Sequence, residues 1–164
     1  MNIEKLSVAA IMRRDAPTVK PSTNLHQLIE FMRKTNHYML PVVDDDNTLL
    51  GIVNYRGILN IFRPFSKSVS EIVERMPFVE KVDDEDLNLE LSPEMGTLIV
   101  VDDIINTSFV SIQEDKTVRE ARRIMRLHNV ETLPVVSDKK LVGVLSLLDI
   151  LVYIFKEHDI LKSE

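Results

Sequence analysis

The chain has 164 residues, 45% of them apolar, enough for one compact domain or two small halves sharing a core and too apolar for a disordered chain. Its formal charge of −6 argues against a general nucleic-acid binder, which needs a net basic surface to displace counterions from phosphates. It has no cysteine, so disulfide staples, thiolate catalysis and thiolate zinc sites are excluded, as suits a reducing compartment.

In chain order, the opening MNIEKLSVAAIMRRD is too charged for a signal peptide. A short helix is expected over Val8 to Arg13 and a brief extended segment at Thr18-Val19. An amphipathic helix follows, with Leu25, Leu28, Ile29 and Met32 at i, i+3, i+4 and i+7 and Asn24 in the capping position. The strand LPVV, the polar turn DDDNT, a second strand ending Gly-Ile-Val and a closing helix then form a hairpin with a helical flank. The middle of the chain, Phe62 to Val100, departs from this plan. Ser68 to Val79 echoes the opening from Ser7 to Val19, but no hairpin follows it. Glu80, Asp83, Asp84, Glu85, Asp86, Glu90 and Glu94 make the next run strongly acidic, as expected of a solvated connector; cation binding there is the weaker alternative.

From Val101 the plan returns. A short helix at Val101 to Ile105 and an extended Ser111-Ile112 precede a helix carrying Val118, Ala121, Ile124 and Leu127, capped by Thr117. LPVV recurs, followed by the turn SDKK, a strand ending Gly-Val-Leu and a last helix. Residues 8–59 thus overlay 101–151, Pro41 on Pro134 and Gly51 on Gly143, the second turn being one residue shorter. A unit of roughly 50 residues buries too little surface to stand alone, so the two should pack on each other. The most apolar window, Leu141 to Phe155, is about half a membrane span and contains Asp149. A cytoplasmic protein without a membrane span is expected.

The repeated order, with h-h-P-V-V in the first hairpin strand and G-h-h-S-x-x-D after the second, resembles the CBS domain; its most specific stretch is Leu141 to Leu151, LVGVLSLLDIL. The resemblance implies an α/β (α+β) fold of two CBS repeats, each a small sheet flanked by helices, packed as a pseudo-twofold pair. The corresponding division is repeat 1 at 1–65, a connector at 66–100 and repeat 2 at 101–160. It further implies a stand-alone regulatory module that binds an adenine nucleoside or nucleotide in the cleft between the repeats and signals to a separate effector protein. Ser146 and Asp149 match the motif positions that hold ribose hydroxyls, with Thr132, Leu133, Pro134, Val110 and Ser111 near the base. An ionised Asp can accept from two vicinal hydroxyls in charge-assisted hydrogen bonds. Ser146-x-x-Asp149 is equally a helix capping box, which accounts for the pair without any ligand.

Repeat 1 departs from the motif, with Asn54 in place of Ser/Thr and Gly57 in place of Asp, so its half-site is expected to be empty or altered. At the positions where AMP-sensing relatives carry basic residues, this chain has Tyr38, Met39, Glu131 and Thr132, which favours adenosine or AMP over ATP. His37 and His128 are expected at helix C-termini, where imidazolium suits the dipole. Arg119, Arg122, Arg123 and Arg126 share one helix face, expected to be solvated or salt-bridged to the connector or a partner. No HExxH, phosphate loop or GxSxG elbow occurs, so no catalytic residue, metal site or required cofactor is expected. Ile58, Leu59, Ile61, Phe62, Leu151, Val152, Ile154 and Phe155 give the terminal helices apolar faces that point to a homodimer. The alternative to a sensor is a ligand-independent dimerisation scaffold with a vestigial cleft.

Overall fold

A reciprocal capping box starts the first long helix of each half. In the computed structural model, which describes residues 3–61 and 94–158, Asn24 Oδ1 accepts from the Gln27 N–H (2.9 Å) and Gln27 Oε1 from the Asn24 N–H (3.2 Å), opening α1 (Leu25–Thr35). Thr117 and Glu120 make the same exchange at the start of α4 (Val118–His128), so both expected caps are present. Each helix ends on an asparagine in the left-handed region, Asn36 at φ 54° and Asn129 at φ 52°. Leu25, Leu28 and Met32 are buried on α1, and Val118, Ala121 and Met125 on α4. Ile29 and Leu127, expected on the same faces, are 47% and 74% exposed, because each helix lies on a narrow sheet that covers one stripe and not its flank.

After each helix comes a hairpin. β1 (Met39–Val43) pairs antiparallel with β2 (Leu49–Asn54), and α2 (Tyr55–Ile61) closes repeat 1. A short α3 (Met95–Leu98) precedes the second repeat. There β3 (Ile112–Gln113) runs parallel to β4 (Thr132–Ser137), which pairs antiparallel with β5 (Lys140–Ser146); α5 (Leu147–Glu157) follows. The expected extended segment at Thr18-Val19 contributes a single parallel bridge, Val19 to Val42. The short opening helices are single 3-10 turns, Val8–Ala10 and Val101–Asp103. Two repeats, each a small sheet flanked by helices, make up the fold.

The openings are exchanged between repeats. Arg13 and Val144 trade backbone hydrogen bonds in both directions at 2.9 Å, so the opening of repeat 1 runs along β5 of repeat 2. Asn106 and Ile52 do the converse, at 2.9 and 3.1 Å. Gly143 and Gly51 are required here by proximity: a Cβ on Gly143 would lie 2.6 Å from Arg13 O, and one on Gly51 2.7 Å from Asn106 O. Val8 and Met12 accordingly sit in the second core with Ile112, Leu133, Leu145 and Ile150, while Val101 sits in the first with Leu28, Leu40 and Val53. The hairpin turns also meet, Leu49 N–H donating to Lys139 O and Leu141 N–H to Asn47 O, each at 3.0 Å. The Ser68 to Val79 echo, Phe62 and the acidic residues from Glu80 to Glu90 lie outside the described residues.

Candidate functional site

Two repeats packed by their sheets leave a cleft, and here it is an open one of about 1500 Å³ lined from both sides. Repeat 1 contributes the turn after α1 (Thr35 to Met39) and the β2–α2 junction (Asn54 to Arg56); repeat 2 contributes α4, the turn from Asn129 to Thr132, and Leu147 and Leu148. Between them run Ala16 and Pro17 from the exchanged opening, with Pro41, Ile52 and Val144 as an apolar floor.

Ser146 and Asp149 stand at the β5–α5 junction. Asp149 accepts from the Ser146 N–H (2.7 Å) and hydroxyl (2.6 Å), while Ser146 Oγ accepts from the Asp149 N–H at 3.1 Å. The expected capping box is therefore present. Its carboxylate also meets Arg13, whose Nε lies 3.1 Å from Oδ1, and the Asp149 side chain retains 15% exposure. Arg13 Nη1 lies 3.4 Å from His37 Nε2, and His37 Nδ1 lies 2.7 Å from the Thr35 carbonyl. A carbonyl oxygen only accepts, so Nδ1 carries the proton and neutral Nε2 accepts from Arg13. One guanidinium from the exchanged opening thus links a histidine of repeat 1 to the carboxylate of repeat 2.

The other expected residues divide. Thr132 is in register with Ser146 and lines the cleft. Pro134 pairs with Val144 one step further along, and Leu133 is wholly buried in the second core. Val110 packs against that core, and Ser111 lines a separate depression of about 240 Å³ beside Thr48, Phe109 and Lys139. The structure does not bring these two to Asp149, because the strand order β3-β4-β5 puts β4 between them. In repeat 1, Asn54 lines the cleft and caps α2, its Oδ1 accepting from the Gly57 N–H at 2.8 Å. Tyr38 and Tyr55 stand edge to face at 6.2 Å, with the Arg56 guanidinium 5.9 Å from the Tyr55 ring centre.

Three features of the cleft were not anticipated as site residues: Arg13, His37 and the arginine face of α4. Arg13 is 136 positions from Asp149 in the chain, and only the exchange of openings makes them neighbours. His37 lies two residues beyond α1, past its left-handed Asn36, rather than at the helix end, while His128 is the last residue of α4. Arg119, Arg122, Arg123 and Arg126 all line the cleft, the first two paired with Glu4 at 3.5 and 3.6 Å. The i, i+3, i+4, i+7 spacing was the visible signal; which side of the module it faced was not. Among the described residues there is no group of three or more His, Asp or Glu side chains that could hold a metal ion, and no helix long and apolar enough to cross a membrane.

A sequence model of the CBS domain matches residues 8–63 and 101–156. The chain is 30% identical over 148 residues to the uncharacterized protein MJ1404 of Methanocaldococcus jannaschii, covering 90% of this chain and 31% of that one. Among solved structures it is similar to CBSX2 in complex with AMP, with a TM-score of 0.68 at 21% identity, covering 93% of this chain and 98% of that one. The CBS domain pair of protein MJ0100, in complex with 5′-methylthioadenosine and S-adenosyl-L-methionine, superposes with a TM-score of 0.63 at 18% identity, covering 93% and 98%. The chain spans 31% and 22% of the lengths of the first two curated relatives it matches.

Proposed function

The chain belongs to the CBS domain family, and from that premise we propose that its inter-repeat cleft senses an adenine nucleotide and relays occupancy to a separate effector protein. The observation that carries this reading is Asp149: a carboxylate held by Ser146 and met by Arg13, which itself lines the cleft from the other repeat, though Asp149 and Ser146 do not line it. Ribose hydroxyls donate to that carboxylate, Thr132 lies beside them, and Leu133 and Pro134 back the site from the sheet. Adenine ligands in the CBSX2 and MJ0100 structures support the ligand class. Because Arg13 belongs to one repeat and Asp149 to the other, a ligand that separates them changes a contact between the halves. Such a change shifts the module only by the ligand's differential affinity for the two arrangements.

The second reading, a dimerisation scaffold, draws on α2 and α5. Ile58 is buried, but Leu59 (41%), Leu148 (67%), Leu151 (52%) and Phe155 (41%) are exposed, an apolar surface suited to a second copy of the chain. The two readings part in a thermal-shift series with adenosine, AMP, ADP, ATP, S-adenosylmethionine and GTP on wild type and Asp149→Ala. At about 100-fold excess over its dissociation constant a ligand adds roughly 2.7 kcal/mol, or about 5–11 °C for a chain of this size. A shift with an adenine ligand that Asp149→Ala abolishes upholds the sensor. Silence across the whole series, with a dimeric mass in solution, would leave the scaffold.

A further inference from the structure

The Asp149 carboxylate uses one of its oxygens at home. Oδ2 takes both the Ser146 N–H (2.7 Å) and the Ser146 hydroxyl (2.6 Å). A carboxylate has about four lone-pair sites, two on each oxygen, so the sites open to an outside donor are those of Oδ1. Arg13 Nε lies 3.1 Å from Oδ1 and 3.3 Å from Oδ2. The guanidinium is also the outer partner. Its side chain is 42% exposed against 15% for Asp149, and Arg13 lines the cleft where Asp149 does not. The arginine therefore stands between the carboxylate and the space a ligand would enter.

Its position is fixed from behind. The two 2.9 Å backbone hydrogen bonds with Val144 pin the Arg13 main chain to β5, so only the side-chain torsions can take the guanidinium off the carboxylate. His37 Nε2, 3.4 Å from Nη1, gives the same group a second anchor in repeat 1. The internal repeat shows what the arginine is there for. The counterpart of Arg13 is Asn106, which makes the same backbone exchange with Ile52, and the counterpart of Asp149 is Gly57. Asn106 Oδ1 turns back to accept from the Ser108 N–H at 2.9 Å. Where the carboxylate is missing the cation is missing too. Arg13 thus answers Asp149 and not a requirement of the exchanged backbone.

We infer that Arg13 is an intramolecular competitor for the ribose site: its guanidinium covers Asp149 and must swing away before vicinal hydroxyls can donate to that carboxylate. This rests on the reading of Asp149 as the ribose-binding group. A ligand's hydroxyls then replace a charge-assisted hydrogen bond rather than water, so Arg13 sets the threshold affinity of the cleft. Its charge is permanent, so the cover is lifted by displacement or by screening and not by deprotonation of the arginine.

Isothermal titration of adenosine tests it on wild type, Arg13→Ala, Arg13→Lys, Asp149→Ala and the double variant Arg13→Ala/Asp149→Ala. Adenosine is the probe because it is uncharged and has no phosphate with which Arg13 could pair. The Arg13 side chain is exposed and its main-chain bonds survive substitution, so the variants keep the fold. Arg13→Ala binds adenosine about fivefold tighter than wild type, the equivalent of one partly exposed charge pair. Arg13→Lys stays near wild type, and both variants lacking Asp149 lose binding. Raising salt from about 50 to about 500 mM tightens adenosine on wild type and Arg13→Lys by screening the pair, and leaves Arg13→Ala unchanged. A purely structural Arg13 would instead give weaker binding in Arg13→Ala and no salt response. If Arg13→Ala binds no tighter than wild type while Asp149→Ala still abolishes binding, the competitor falls and the ribose reading stands. If the gain in Arg13→Ala persists in the double variant, Asp149 is not the contested group and both fall. Adenosine bound by none of the five proteins likewise overturns both.

Discussion

At Gly57 repeat 1 lacks the carboxylate that Asp149 supplies in repeat 2, and the surroundings leave room to restore it. A Cβ there meets Asn54 Oδ1 at 3.6 Å and Ile104 O at 3.7 Å, ordinary contacts, and Gly57 has no positive φ. Glycine inside a helix costs about 0.5–1 kcal/mol relative to alanine, so Gly57→Asp is expected to fold with an unchanged or higher melting temperature. If the missing carboxylate is what closes the first half-site, calorimetric stoichiometry rises from one nucleotide per chain to two. A stoichiometry that stays at one would assign the closure to Tyr38, Tyr55 and Arg56 instead. The contrast between Asp149 and Arg13 shows what could be read in advance at this scale. Ser146-x-x-Asp149 is a local pattern, three residues apart and legible as a capping box whatever its ligand. Arg13 has no local signal, because its partners are set by which repeat its segment joins.

Helix α4 shows the same division at the level of an element. Its boundaries followed from Thr117 at the cap and the spacing of Val118 and Ala121, and the left-handed Asn129 had a match in Asn36, 93 positions earlier. Periodicity also put four arginines on one face, but periodicity ranks faces by polarity and cannot tell a solvated face from one lining a cleft. The cap carries a pH signature. Glu120 has its carboxyl held below the usual range by the Thr117 backbone N–H first and the Thr117 hydroxyl second. A carboxyl depressed on folding stabilises above its unfolded value and loses that contribution as pH falls through the folded value. Thr117→Ala should therefore cost about 1 kcal/mol at neutral pH and less as the solution is acidified below the Glu120 titration. NMR titration should also show the Glu120 carboxyl moving only partway back toward its ordinary value in the variant, since alanine removes the hydroxyl and keeps the backbone N–H at position 117. An unmoved Glu120 would mean that the backbone N–H alone holds it.

On the scale of the whole molecule, the exchange of openings is the feature that repeat spacing did not disclose. Two copies laid end to end are compatible with each copy closing on itself, and nothing in the pattern of Val8, Met12 or Val101 says which core receives them. The glycines carried the signal: Gly51 and Gly143 match across the repeats at positions where any Cβ would strike a crossing backbone. The consequence is mechanical. Met12 lies in the chain of repeat 1 but is only 8% exposed in the core of repeat 2, and its neighbour Arg13 is tied to β5 by two backbone hydrogen bonds. Neither core is complete without the other repeat's opening, so loss of one removes side chains from the other and the pair should unfold in a single step. Met12→Ala is expected to cost about 2–5 kcal/mol by leaving a cavity in the second core. Methyl NMR signals from Leu40 and Val53 in the first core and from Leu133 and Leu145 in the second should then report coincident denaturant midpoints, displaced together. Were only the Leu133 and Leu145 midpoints to move, the halves would be unfolding independently. A ligand at Asp149 would then lack the route to repeat 1 that the exchanged opening provides.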